Sequence, residues 1–104
     1  MLDDVALIDP LGKTIYFLAD LFTKQNSGNG VLNDVTEVIT KPAILVEVQE
    51  NDQTRFYYFR SVGGNKTFAI IVRRINDQWQ AYHCIKNPAG EMLSMVLKKG
   101  KQIL

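Results

Sequence analysis

Between Arg55 and Ile85, three runs rich in aromatic and β-branched residues follow one another with only short breaks. They are RFYYFR (Arg55 to Arg60), TFAIIVRR (Thr67 to Arg74) and WQAYHCI (Trp79 to Ile85), parted by segments that contain Gly63-Gly64 and Asn76-Asp77. Such density between turn-forming residues predicts consecutive strands joined by hairpins. The stretch is therefore read as an antiparallel sheet. Unlike plain core strands, these runs carry arginines and the chain's one histidine inside or at the ends of apolar sequence.

The sequence before this stretch reads as helical. Asp9-Pro10 offers a cap and a first-turn proline, and Leu11, Ile15, Leu18, Ala19 and Phe22 recur at three- and four-residue intervals up to Lys24. That spacing predicts an amphipathic core-packing helix. Gln25 to Gly30 holds only loop-forming residues. A second, shorter helix capped by Asn33 or Asp34 runs through Val35, Val38 and Ile39 and stops at Lys41-Pro42, because the residue before proline is pushed out of helical geometry. Ala43 to Gln49 alternates as a strand does, with Ile44, Val46 and Val48 on one side. After the turn Lys86 to Gly90, the segment Glu91 to Leu97 fits a last strand or a short helix equally.

The outline is an α+β fold with N-terminal helices packed on one face of a four- to five-stranded antiparallel sheet. One domain is expected over residues 1–104, helical over about 10–41 and sheet over about 43–97. Hydrophobic residues make up 46% and charged residues 22%, as in a globular domain, and no apolar run has the length of a membrane span. No membrane partner is implied. Met1-Leu2-Asp3-Asp4 lacks a signal-peptide pattern, so a cytoplasmic site of action is expected. A lone Cys84 leaves no internal disulfide and weakly indicates a reducing compartment.

Charge is unevenly spread. Residues 1–52 hold three basic and nine acidic side chains, a net of −6, while residues 53–104 hold nine basic and two acidic ones, a net of +7. A polyanion-binding face gives this asymmetry, and so does surface solubility. Gly63-Gly64-Asn65-Lys66 suggests a phosphate cradle but lacks P-loop spacing, and it reads better as a hairpin turn. His83 and Cys84 alternate to opposite sides of a strand, so they cannot share a metal ion, and no metal or other cofactor is implied.

What remains is an acid/base and cation set. Antiparallel pairing is expected to bring Arg60, Lys66 and His83 to one end of the sheet, with Arg73 and Arg74 near the start of the Trp79 strand. Such a trio suits metal-free RNA cleavage, in which one group takes the 2′-hydroxyl proton, another protonates the departing 5′-oxygen and cations stabilise the phosphorane. Tyr58 and Tyr82 are candidates to stack on bases, Arg73 and Arg74 to bind substrate, and Glu47 to act as general base. Each has a structural reading beside it: the tyrosines as sheet packing, Glu47 as a solvent-facing strand residue and His83 as a satisfied structural histidine.

Over about Asn33 to Pro88 the order of elements, VTEVITKPAILVE followed by RFYYFR, KTFAIIVRR and WQAYHCI, resembles the barnase/EndoU/colicin/RelE-like ribonuclease superfold, especially its phage- and toxin-associated branch. The resemblance implies an endoribonuclease working without metal, with RNA as substrate and a cognate immunity or antitoxin protein as partner. It places Arg60 at the cationic strand position, Lys66 at the strand-entry base and His83 at the polar position of the terminal strand. Where the branch has threonine before its Ala-Tyr pair this chain has Gln80, and no residue matches the catalytic glutamate of the barnase branch. Two further readings stay open: a nonenzymatic RNA- or protein-binding module, and an immunity- or antitoxin-like protein.

Overall fold

Two Asn-Asp pairs fix the hairpins. In the computed structural model, which describes residues 5–17, 31–62, 66–88 and 90–104, Asn51 and Asp52 have φ of 51° and 63°, and Asn76 and Asp77 have 51° and 64°. Left-handed geometry at both central residues is that of a two-residue turn whose twist matches the flanking strands, and Asn and Asp tolerate it better than other residues with a side chain. The first turn joins β3 (Ile44–Glu50) to β4 (Gln53–Val62), and the second joins β5 (Lys66–Ile75) to β6 (Gln78–Lys86). Asp52→Gly removes the left-handed penalty at an exposed site and should stabilise the fold by about 0.5–1 kcal/mol. A rise in thermal midpoint is the expected reading.

Among the described residues there are seven strands and two helices. The chain opens with a hairpin, β1 (Val5–Ile8) and β2 (Thr14–Phe17); α1 (Val31–Thr40) precedes β3; α2 (Gly90–Lys99) and β7 (Lys101–Gln102) follow β6. Sheet order is β1-β2-β6-β5-β4-β3-β7, and every neighbouring pair is antiparallel except β2 with β6, so the sheet is mixed. The three central strands and β3 lie where the sequence predicts.

Of the two helices expected before the sheet, the second forms as α1, starting two residues ahead of the expected cap at Asn33, and the first does not form over its opening residues. Thr14-Ile15-Tyr16-Phe17 is a strand, with Ile15 and Phe17 fully buried and Thr14 and Tyr16 half-buried. Period-two burial overrides the helical spacing there because β2 finds a partner in β6, with Ile15 opposite Trp79 and Phe17 opposite Ala81. The remainder of that expected helix, Leu18 to Lys24, and the loop to Gly30 lie outside the described residues.

The helices occupy opposite faces. Successive strand residues point to alternate sides. Leu45, Phe56, Tyr58, Phe68, Ile70 and Val72 join Val35, Val38 and Ile39 of α1 in one core cluster, and Val46, Val48, Phe59 and Ala69 join Val96 of α2 in another. The Glu91–Leu97 segment thus resolves as helix. Met92 and Leu93 recur at Val96 and Leu97, Glu91 sits in the first turn and Lys98 and Lys99 in the last, as the helix dipole favours. α2 packs against β3 and reaches Phe59, Ala69 and Ile85, while Arg55 and Arg73 lie on the same face outside that core cluster.

Candidate nucleic-acid interface

The expected Arg60–Lys66–His83 convergence does not occur. Arg60 shares the α1 face with Tyr58, donates from Nη1 to the Lys41 carbonyl at 2.8 Å and pairs through Nη2 with Glu37 at 3.2 Å. It ties the end of α1 to the sheet. His83 stands opposite Ile71 and is exposed on the other face. The Lys66 backbone is in register with Val62; its side chain, and the Gly63-Gly64-Asn65 loop, lie outside the described residues.

A bulge in β6 is one cause. Val72 pairs with Ala81 and Ile71 with His83, so Tyr82 is an extra residue without an opposite number. Insertion of one residue bends a strand and re-aims its side chains. Tyr82 and His83 both fall on the open face, their rings 6.5 Å apart and nearly parallel, while Cys84 returns to the core, where burial pushes its thiol up to about 11.

On this face Arg55 stands directly opposite Arg73. Like charges facing each other across a pair of strands are destabilising unless something negative lies between them. The one carboxylate ion-paired to either among the described residues is Glu50, 3.6 Å from Arg55. Arg73 lies over the Tyr82 ring, 4.5 Å from its centroid, and the Nε atoms of both arginines are buried without a hydrogen-bond partner among the described residues. Burial raises the Tyr82 phenol above its usual value, opposed by Arg55 and Arg73 and reinforced by Tyr57 and Glu50. Its hydroxyl therefore stays protonated and available as a donor. Tyr57, beside Tyr82 in this set, stacks at 6.4 Å on Phe59 at the foot of α2.

The other expected site residues go elsewhere. Tyr58 is fully buried, with its hydroxyl donated to Asp9 at 2.5 Å, so its place is structural. Glu47 and Arg74 line a cleft on the α1 face. Of the expected set, Arg73, Tyr82 and His83 are brought together, and Arg55, Tyr57 and Glu50 are added to them. Arg55 was visible as the first residue of RFYYFR; pairing it with Arg73 requires the register across residues 62–66, which composition does not set. The cationic half of the chain is thus divided between faces, Arg60 and Arg74 on one and Arg55 and Arg73 on the other. Among the described residues no group of three or more His, Cys, Asp or Glu side chains is placed to hold a metal ion, and no helix is long and apolar enough to cross a membrane. No protein-family model matches the chain, and neither a curated protein nor a solved structure matches it.

Proposed function

We propose that the protein is a small endoribonuclease that holds RNA on the open sheet face and cleaves it by 2′-hydroxyl transesterification without a metal ion. The observation that carries this reading is the opposed pair Arg55 and Arg73, two guanidiniums with unpartnered buried Nε donors and a single ion-paired carboxylate, Glu50 on Arg55, set beside the exposed His83. A phosphodiester supplies the missing negative charge, and arginine is the side chain best shaped to receive it. Tyr57 and Tyr82 offer surfaces on which bases stack. The resemblance of Asn33 to Pro88 to the barnase/EndoU/colicin/RelE-like superfold supports the same reading.

In the reaction the 2′-oxygen loses its proton and bonds to phosphorus, the bond from phosphorus to the 5′-oxygen breaks, and the departing oxygen gains a proton. The products are a 2′,3′-cyclic phosphate and a 5′-hydroxyl. Imidazole is the side chain suited to proton transfer near neutrality, and His83 carries one of these two transfers while solvent water on the exposed face carries the other. Arg55 and Arg73 stabilise the charge that grows on the phosphorane, and Tyr82 donates its hydroxyl to it.

Incubating the purified protein with total RNA in EDTA, followed by mapping of new ends, tests this directly. Cyclic-phosphate ends are expected. His83→Ala should reduce cleavage roughly 10²- to 10⁴-fold while leaving RNA binding intact. Arg73→Ala should reduce cleavage and also lower the salt dependence of binding, by about one phosphate contact. Arg60→Ala, on the opposite face, should cleave normally. A second reading, a nonenzymatic RNA-binding face, is favoured by His83 being the only histidine in the chain. RNA that stays intact across pH yet binds in an Arg55- and Arg73-dependent manner would select it and overturn the enzyme.

A further inference from the structure

The face that carries Arg55, Arg73 and His83 continues onto the two strands at the far edge of the sheet. Arg55 is in register with Arg73, Arg73 with Gln80, Gln80 with Tyr16 and Tyr16 with Ala6, so β4, β5, β6, β2 and β1 set these residues in one row across the strands. Residues opposite one another share a side of the sheet. Ile15 and Phe17 are buried in the α1 cluster, so the half-buried Tyr16 between them stands on the open face. Its neighbour on β1 is Ala6, which is exposed and too small to cover a phenol ring. Strand spacing sets Tyr16 roughly 10 Å from Arg73.

The other ways off the arginine pair are closed or opposed. Toward β3 the row ends at Val48, which is 3% exposed and belongs to the α2 cluster. Along the strands in one direction Phe59, Ala69 and Ile85 pack in that same cluster. In the other direction lie Glu50 and, at the exposed Asn-Asp turns, Asp52 and Asp77, whose carboxylates repel a phosphate chain. A polyanion held at Arg55 and Arg73 therefore leaves over β6 and β2. One side of the Tyr82 ring is taken by Arg73, whereas Tyr16 has no ring or cation contact among the described residues. Sheet platforms hold single strands by stacking bases on rings that project from neighbouring strands.

We infer that a single strand of RNA crosses β6 and β2 at right angles, and that the nucleotide next to the phosphate held by Arg55 and Arg73 stacks its base on Tyr16. The inference rests on the reading that the open face holds RNA, and it adds to that face a second nucleotide subsite on β2. Every base has a flat face, so the subsite contributes affinity and not sequence preference.

A short, single-stranded 2′-O-methyl RNA oligonucleotide has no free 2′-hydroxyl to attack the phosphate, so it reports binding apart from cleavage. Its affinity for the full chain, followed by fluorescence anisotropy, should fall roughly 5- to 150-fold in Tyr16→Leu, the loss of one stacked base. Leucine keeps apolar bulk on β2, and Tyr16→Phe, which keeps the ring, should restore the parent's affinity. The salt dependence should stay unchanged in Tyr16→Leu, which gives up no phosphate contact, while Arg73→Ala lowers it. Binding that requires Arg55 and Arg73 but is as tight in Tyr16→Leu as in the parent would overturn the inference and leave the RNA-binding reading standing. Equal losses in Tyr16→Leu and Tyr16→Phe would overturn it as well, because the ring would then not be what binds. Absence of any binding that depends on Arg55 and Arg73 would overturn both.

Discussion

Asp9→Ala should lower the stability of the fold by about 3–5 kcal/mol, the cost of breaking a buried ion pair and leaving its partners uncompensated. Asp9 is 4% exposed, and its carboxylate is used on every side. Oδ1 accepts from the backbone N–H of Leu11 at 3.0 Å and of Lys13 at 2.8 Å; Oδ2 accepts from Tyr58 and lies 2.6 Å from Lys13 Nζ. The Lys13 ammonium in turn sits 3.9 Å from the Phe56 ring centroid. Removal of the carboxylate strands a phenol, an ammonium and two amides in the interior. Tyr58→Phe removes only one donor and should cost about 1.5–3 kcal/mol, so chemical denaturation of the two variants separates the network from its single hydrogen bond.

The same carboxylate makes stability depend on pH. Burial alone raises its pKa, but the hydrogen bonds from Lys13 and Tyr58 and the Lys13 charge outweigh burial and hold it below the ordinary value. In the unfolded chain an aspartate takes up its proton near pH ~4. The folded state resists protonation further into acid, so the stabilising contribution is complete above that value and is lost as pH falls through the lower folded-state pKa. Unfolding free energies measured between neutral pH and pH ~3 should decline in the parent chain and decline less in Asp9→Ala.

Gly100→Ala should detach the C-terminal end. A Cβ at this position would stand 2.5 Å from the Glu47 carbonyl oxygen, 2.6 Å from Val46 Cγ1 and 2.8 Å from Val48 Cγ2. The first of these is backbone inside β3 and cannot rotate away. Overpacking of this kind costs about 1–3 kcal/mol, and here relief comes most readily by lifting β7 off β3 and α2 off Val46 and Val48. Hydrogen exchange should therefore accelerate at β7 and in the last turn of α2, where the Gly100 N–H now bonds to the Val96 carbonyl at 2.9 Å, before it changes in β4 to β6. Uniform acceleration across the sheet would rule out this local account.

These two sites also mark the limits of what could be read from residues alone. Asp9 was recognisable as a capping residue, and it does accept from the amides two and four positions on; the turn it closes leads into a strand, not a helix. Leu11, Ile15 and Leu18 are spaced for a helix, while Ile15 and Phe17 are equally spaced for a strand. Pairing with β6, more than sixty residues away in sequence, decides between them. The central strands were legible to within two or three residues because aromatic density and the Asn-Asp turns agree locally. The site was less so: Arg73, Tyr82 and His83 stood out as residues, but Arg55 became their companion only through the register of β4 against β5, and His83 reached their face only through an irregularity with no local signature.

That irregularity has a consequence for how β6 tolerates change. Ala81 and Cys84 both serve the interior although an odd number of positions separates them, so the strand runs in two phases joined at Tyr82. Deleting any single residue between them restores one unbroken phase. Ala81 and Cys84 then still face the interior two positions apart, and only one of Tyr82 and His83 is left on the open face. What the extra residue provides is two neighbouring rings on one side of the sheet, so the pairing of phenol with imidazole depends on the length of main chain between Ala81 and Cys84.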